Sequence, residues 1–222
     1  MALEISRTEE KYLKAIYKIS ETTQASVTTN AIADKMKTTA ASVTDMLKKL
    51  AAKQLIAYER YKGSRLTSEG VQYATDLIRR HRLWETFLSE KLNFSWEEIH
   101  EIANELEHVR NSKLIEKLDA YLKFPKFDPH GDPIPNAEGK FTIRNQLSIY
   151  QLNIGETASV VGVKNQDTAF LQHLNNLGIS LNQSFTVMGK QPYDNSVILR
   201  LSHNREVTIS EKVSSQLLVR KD

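Results

Sequence analysis

Apolar residues recur at helical spacing over the first third of the chain. An amphipathic pattern covers residues 7–21, and shorter ones at residues 31–36 and 43–50 predict two more helices, separated by a polar turn at residues 37–39. Residues 55–58 and 65–67 then predict two short strands on either side of a turn at residues 61–64, which together form a hairpin. The order helix, helix, turn, helix, hairpin indicates a helix-turn-helix followed by a wing.

The middle of the chain predicts three more helices and then an irregular segment. A long helical pattern covers residues 68–92, and a capping-box sequence of Ser95 and Glu98 predicts the start of the next helix. A third helix is expected over about residues 112–124. Four of the five prolines fall within residues 125–135, so this segment is expected to be an ordered or semi-rigid connector, neither helix nor central strand.

Beyond residue 150 the pattern changes to short apolar runs of the β type, with one helix expected over residues 167–176 and a hairpin turn at His203 and Asn204. These runs predict a small, partly open β-barrel of about 70 residues. The expected fold class is therefore mainly α with a small β C-terminal domain. The runs are Ser159–Val163, Phe185–Met188, Val197–Leu201, Glu206–Ile209 and Leu217–Val219.

Composition narrows the chemistry that the chain can use. The chain has no cysteine, which excludes disulfide bonds and thiolate metal ligands. No apolar run approaches the ~20 residues that a membrane-spanning helix needs. The first residues are acidic and amphipathic, unlike a signal peptide, so a soluble cytoplasmic protein with no membrane partner is expected.

Charge is unevenly distributed on a chain whose net charge is only +3. Residues 35–65 hold eight basic and two acidic side chains, a local charge of +6, which is typical of a nucleic-acid surface but also of a solvated helix face. Hydroxyl groups at the start of the third helix and cations on the hairpin could contact phosphates and base edges. The candidate DNA-binding residues are Thr38, Thr39, Ser42, Thr44, Lys48, Arg60, Lys62 and Arg65.

Histidines and carboxylates form two stripes at helical spacing. Two of these side chains lie four residues apart on the long helix, so they share one face of it. On the next helix four more polar side chains lie at positions i, i+4, i+7 and i+8, again on one face. Imidazole and carboxylate together suit Mn(II), Fe(II), Co(II) or Zn(II), although a solvated polar face is the alternative interpretation. The candidate metal ligands are His81 and Glu85 on the first helix, and His100, Asn104, Glu107 and His108 on the second.

An enzymatic alternative uses two E-x-x-H sequences, Glu97 to His100 and Glu105 to His108, which match the signature of di-iron bundles. That site needs the two motifs on facing helices. Here one continuous helix is expected to carry both, so they cannot close on a single metal pair, and no enzymatic function is expected.

Several segments, in this order, resemble the diphtheria-toxin repressor family of iron- and manganese-dependent repressors. The resemblance is close over about residues 7–140 and looser over the last third, which looks like the FeoA-like barrel of the longer members. The segments are TEEKYLKAIYKI, TTAASVTDMLKKLAAKQLI, LTSEGVQYATDLIRRHRLWETFL, EEIHEIANELEHV and FDPHGDPIPN, with VGVKNQDTAFLQHLNNLGISLNQSFTV in the last third.

The resemblance implies a homodimer whose winged helices bind a palindromic DNA operator when metal is bound. It further implies three domains: a winged helix-turn-helix DNA-binding domain over residues 1–73, a helical metal-binding and dimerisation domain over residues 74–140, and a FeoA-like β-barrel over residues 150–222. Because every candidate ligand is a nitrogen or an oxygen, Mn(II) is the favoured metal and Fe(II) the next.

The same resemblance implies two metal sites and two departures from them. One site matches His81, Glu85 and His100, with Asp167 the nearest match for a ligand from the barrel. The other matches Glu107, His108, position 104 and a first-helix side chain. Position 104 is Asn where the family has Cys or Glu, and Lys11 stands where it has Met or Asp; an ammonium group has no lone pair for a metal. Either Glu10 substitutes or this site is weakened. A winged-helix regulator that has lost metal control is therefore the alternative.

Overall fold

The computed structural model describes residues 4–23, 26–59, 62–143 and 147–221. Within these ranges the N-terminal part is mostly helical and the C-terminal part is mostly strand, which confirms the expected fold class at this level. The helices are α1 Arg7–Thr23, α2 Thr29–Met36, α3 Ala40–Ala52, α4 Ser68–Leu92, α5 Ile99–Leu106, α6 Ser112–Tyr121, α7 Thr168–Leu177 and α8 Glu211–Ser214. The strands are β1 Ile56–Glu59, β2 Gly63–Leu66, β3 Leu147–Ser148, β4 Thr157–Val163, β5 Ser184–Lys190, β6 Val197–Arg200, β7 Glu206–Ile209 and β8 Leu217–Lys221.

Helices α1 to α3 and the β1–β2 hairpin form the predicted winged helix-turn-helix. Helix α2 ends at Met36, and the left-handed backbone of Lys37 (φ 50°) then turns the chain. The Thr39 side chain accepts a hydrogen bond from the Ser42 amide at the start of α3. The wing strands pair antiparallel with Ile56 opposite Leu66. These elements share one core, because their buried apolar faces converge on Leu13, Ile16, Ile32, Val43, Leu47, Leu50 and Leu55.

Helix α5 is shorter than the sequence predicts. The backbone N–H of Ser95 donates to Glu98 (3.0 Å), as the capping box requires, and the helix then ends at Leu106. There the amide of Val109 reaches back to the Leu106 carbonyl (3.0 Å), three residues earlier, so the chain tightens into a turn. Glu107 and His108 therefore lie in the turn after α5, and the expectation that one helix carries all four candidate ligands is wrong.

The proline-rich connector has neither helix nor regular strand, as predicted, but it is tightly organised. The Oδ1 atom of Asp128 accepts hydrogen bonds from the backbone amides of His130 (2.8 Å) and Asp132 (3.0 Å). These two bonds fold residues 128–132 into a compact loop. We call residues 128–132 the histidine loop.

The C-terminal strands form one antiparallel sheet in the order β3-β8-β4-β5-β6-β7. β3 and β7 are its two edges, and no ladder joins them among the described residues, so the expected barrel is not closed. Among the described residues β3 consists of Leu147 and Ser148, which pair with β8. The predicted helix is α7, and the predicted turn at residues 203–204 does join β6 to β7.

The chain divides into two compact units. The first comprises Met1–His81, Glu105–Ser112 and Pro135–Phe141, and the second comprises Arg82–Asn104, Lys113–Ile134 and Thr142–Asp222. Among the described residues, none of the helices has both the length and the apolar character that crossing a bilayer would require.

Candidate functional site

Helix α4 and the start of α5 bring together the three candidate ligands of the first predicted site. His81, Glu85 and His100 each place one ligand atom within 4.8 Å of the others. His81 and Glu85 are buried one turn apart on α4, and His100 Nδ1 lies 3.1 Å from Glu85 Oε1. These three side chains therefore lie close enough together to hold one metal ion.

A second group, which the sequence analysis missed, shares Glu85 with the first. Glu85, Asp128 and His130 are all buried, and their ligand atoms also lie within 4.8 Å of one another. Asp128 and His130 belong to the histidine loop, which the sequence analysis treated only as a connector. The sequence did contain a signal for this group, because a histidine lies between two aspartates in a segment whose conformation is restricted by prolines.

His130 is oriented as a metal ligand would be. Its Nε2 lies 2.8 Å from the Trp96 carbonyl oxygen and must donate a proton to it, so Nδ1 is the nitrogen that offers a lone pair once the ring is neutral, as it must be to bind a metal. No described group forms a hydrogen bond with this buried Nδ1; Glu85 Oε1, at 3.8 Å, is too far away. A cation, either a proton on this nitrogen or a metal ion that displaces it, would satisfy both the nitrogen and the neighbouring carboxylates, so the residues present fit a divalent metal.

The electrostatics of this second group also favour added positive charge. Burial, reinforced by Glu85 and Asp132, raises the pKa of Asp128 to about 7. Burial alone would lower the pKa of His130, but the neighbouring Glu85 and Asp128 outweigh it and raise this pKa to about 9. The group therefore holds excess negative charge in a buried place, which a proton or a metal ion would neutralise.

Two glycines hold the histidine loop against strand β4. Gly131 has φ +88°, and a Cβ there would lie 2.2 Å from the Val161 carbonyl oxygen. A Cβ at Gly162 would lie 2.6 Å from the His130 carbonyl oxygen, and that oxygen accepts a hydrogen bond from the Val163 amide (2.9 Å). The position of His130 is thus fixed by backbone contact with the C-terminal sheet.

Asp167, the sequence match for a ligand from the C-terminal domain, is exposed just before α7 and belongs to neither group of described residues. Its neighbour Gln166 instead donates to Asp132 of the histidine loop (3.2 Å). Asn104 is half-buried on α5.

Glu107 and His108 contact helix α1 and basic side chains. Lys14 Nζ lies 2.6 Å and His81 Nδ1 2.7 Å from Glu107 Oε2. Burial would raise the pKa of Glu107, but His81 and Lys14 outweigh that effect and the pKa is lowered. Lys11, the lysine that the resemblance placed at a ligand position, is exposed, so Lys14 is the α1 lysine that faces this cluster.

Glu10, considered as a substitute ligand, is completely buried and surrounded by donors. Its carboxylate contacts His108 Nδ1, accepts a hydrogen bond from the Tyr73 hydroxyl (2.8 Å), and lies 3.1 Å from an Arg110 and 3.6 Å from an Arg80 guanidinium nitrogen. Glu10 therefore lies beside His108, but the cluster also contains three basic side chains, Lys14, Arg80 and Arg110.

The candidate DNA-binding residues that the structure describes lie on α3, its preceding turn and the wing. Thr38, Thr39, Ser42, Lys48, Lys62 and Arg65 are exposed and Thr44 is half-buried; Arg60 lies outside the described residues. Lys48 pairs with Asp45 (3.4 Å) and Lys62 with Glu59 (2.6 Å), both at the surface, where ion pairs contribute little and open readily.

The hydroxyl groups at the start of α3 already have local roles. Thr39 and Ser42 hydroxyls lie 3.0 Å apart at the helix N-terminus, and the Thr44 hydroxyl donates to the Ala40 carbonyl (2.8 Å). Arg65 Nε donates to the Ser26 hydroxyl (2.9 Å). DNA contact would add to these interactions or replace them.

Comparison with known proteins gives three family matches in succession. Residues 4–64 match the iron dependent repressor N-terminal DNA binding domain, residues 67–136 match its metal binding and dimerisation domain, and residues 147–221 match the FeoA domain.

Individual relatives agree with these matches. A diphtheria toxin repressor of Corynebacterium jeikeium is 28% identical over 131 residues, which are 59% of this chain and 54% of that protein. A probable metal transport system membrane protein of Chlamydia trachomatis is 38% identical over 91 residues, 41% of this chain and 20% of that protein. The chain thus spans about half or less of the length of these relatives.

Among solved structures, a manganese-dependent transcriptional repressor in complex with manganese superposes with a TM-score of 0.81. It is 29% identical, and the match covers 96% of this chain and all of that one.

Proposed function

The chain belongs to the iron-dependent repressor family, and from this membership we propose that it is a transcriptional repressor that binds operator DNA when a divalent metal is bound. The observation that carries the proposal is the buried Nδ1 of His130, which has no hydrogen-bond partner among the described residues and lies beside the carboxylates of a group built around Glu85. The carboxylates of Glu85 and Asp128 lie close together in a buried place, where their mutual repulsion favours a bound cation in addition to the guanidinium of Arg82.

Glu85 is the central ligand in this proposal, with His81 and His100 on one side and Asp128 and His130 on the other. All of these donors are nitrogen or oxygen, which favours Mn(II), with Fe(II) next. The structural neighbour described as manganese-dependent supports the same choice. A bound ion would supply positive charge and a fixed link between helix α4 and the ligands that follow it.

The chain's own residues would transmit that link. The Trp96 carbonyl holds the ring of His130, and the loop backbone that carries His130 is bonded to β4. His81 Nδ1 contacts Glu107, which would orient the ring and leave Nε2 as the nitrogen for the metal.

We further propose a homodimer on a palindromic operator, joined through the helices between about residues 74 and 124. Exposed apolar side chains on α6 and just after it, Leu114, Tyr121 and Phe124, would be covered in such a dimer. Two winged helices would then read half-sites about one helical turn or a multiple apart. The three-domain division at residues 1–73, 74–140 and 150–222 is part of this proposal, as are a cytoplasmic location and a regulatory, non-enzymatic role.

The test is a binding titration on a duplex selected from a random library in the presence of Mn(II). The parent is expected to gain about 5- to 150-fold in DNA affinity when Mn(II) is added, the range of a typical allosteric coupling. His100→Ala and His130→Ala variants, shown to fold by circular dichroism, are expected to lose most of that gain. DNA binding by the parent that is unaffected by Mn(II) or Fe(II) would instead support a regulator without metal control.

A further inference from the structure

The cluster around Glu107 and His108 differs in kind from the groups around Glu85. Among the described residues, the sets of three or more His, Asp or Glu with converging ligand atoms all contain Glu85, and none contains Glu107 or His108. Glu107 is instead contacted by an ammonium group, that of Lys14, at 2.6 Å. The Lys14 side chain is only 15% exposed and that of Glu107 2%, so solvent screens this pair little.

The charges of the cluster oppose a second metal ion. Its two carboxylates, Glu10 and Glu107, face three permanent cations, Lys14, Arg80 and Arg110, which leaves a balance of 3 − 2 = +1 without any histidine proton. A divalent ion at this place would meet net positive charge at short range in a poorly hydrated environment, where Coulomb repulsion is strong. The residues present therefore do not fit a divalent metal here.

We propose that the Lys14 ammonium takes the place of a metal ion beside Glu107, so that helix α1 is fastened to the turn after α5 by the chain's own cation. This ion pair forms without metal, because both Lys14 and Glu107 belong to the chain. Glu107 also contacts His81, so a continuous series of contacts connects α1 to His81 through Lys14 and Glu107. Metal control would then be exerted through the groups around Glu85 alone, and this consequence rests on the proposed function.

The experiment counts Mn(II) ions on the full-length chain by equilibrium dialysis and metal analysis. Replacing His108 with Ala is expected to leave the number of Mn(II) ions per chain unchanged. Lys14→Glu changes the charge balance of the cluster from +1 to −1 and is expected to add one Mn(II) ion per chain. Lys11→Glu makes the same charge change at an exposed position one turn earlier on α1 and is expected to add none.

Two results would overturn the proposal: loss of one Mn(II) ion per chain in His108→Ala, or no additional ion in a folded Lys14→Glu variant. If Lys14→Glu does not fold, melting of the metal-free Lys14→Met and Lys11→Met variants decides. Lys14→Met is expected to melt several degrees lower, because it leaves Glu107 buried without its cation, whereas equal melting temperatures would refute the proposal.

These outcomes are separate from a failure of the proposed function. If the chain were not metal-controlled, DNA binding would ignore Mn(II) whatever the effect of Lys14→Glu. If only the present inference were wrong, DNA binding would still depend on Mn(II) while His108→Ala lost an ion.

Discussion

Replacing Gly131 with Ala tests whether the contact between the histidine loop and β4 positions the metal ligands. The backbone at Gly131 is left-handed (φ +88°), which costs an Ala roughly 1–2 kcal/mol. The new Cβ would also lie 2.2 Å from the Val161 carbonyl oxygen, a backbone atom that cannot rotate away. Overpacking of this kind costs about 1–3 kcal/mol, so the free energy of unfolding is expected to fall by about 2–5 kcal/mol in total.

The chain offers a matched control for the backbone term. Gly155 has the same φ of +88°, but a Cβ there would meet nothing within 4 Å. Gly155→Ala is therefore expected to cost only the roughly 1–2 kcal/mol of backbone strain. The difference between the two variants, measured by urea unfolding of the metal-free protein, isolates the collision with β4.

The same pair of variants separates stability from metal binding. To relieve the collision the loop must move away from β4, which carries His130 away from Glu85. Mn(II) affinity, measured by competition with a fluorescent chelator, is expected to fall more than about tenfold in Gly131→Ala, as when a ligand's supporting contact is lost. It is expected to stay unchanged in Gly155→Ala. Equal stability and parental Mn(II) affinity in both variants would refute the reasoning.

Three further predictions concern the metal groups and the DNA surface. Asp128 and His130 have raised pKa values of about 7 and about 9, above the ordinary 3.8 and 6.5, so the folded metal-free chain binds more protons than the unfolded one. Their stabilising effect is lost as the pH rises through those values, and calorimetry is expected to show metal-free melting temperatures falling up to about pH 9; a rising profile would contradict this. Glu85→Gln is expected to weaken Mn(II) binding more than Ala at any one histidine of either group, because Glu85 serves both; isothermal titration would show the order. Lys48→Ala and Arg65→Ala are each expected to weaken binding to all duplexes alike and to reduce the salt slope by about one, and selective loss on one sequence would argue for base contacts instead.

Local patterns predicted most of the secondary structure. The apolar periodicity and the capping residues placed α1, α3 and α4 within about three residues of their observed ends, because these signals act between near neighbours in sequence. The end of α5 was missed, since nothing apolar or proline-containing interrupts the pattern at Leu106 and the turn depends on contacts made by the residues beyond it. Closure of the C-terminal sheet is a long-range property of its edge strands, and periodicity carries no information about it.

The candidate metal ligands likewise divide into those that are near neighbours in sequence and those that only the folded chain brings together. His81, Glu85 and His100 follow from helical spacing and one short connection. Asp128 and His130 lie more than forty residues after Glu85, and the prolines around them remove any periodic signal, so only the folded chain shows that they meet. Which lysine of α1 faces Glu107, Lys11 or Lys14, depends on how the helix is rotated about its axis. That rotation is set by packing against the rest of the fold, and the local sequence does not determine it.

The sharing of Glu85 between two groups of ligands has a consequence for how steeply the protein would report metal supply. Two ions that each required this one carboxylate could not load independently, and each would make the other bind more weakly. Such antagonism broadens a dose–response curve, because the second step of loading begins only at a higher free concentration of metal. A cell that used this protein would then read its metal pool as a graded level over a wide range, with no sharp threshold.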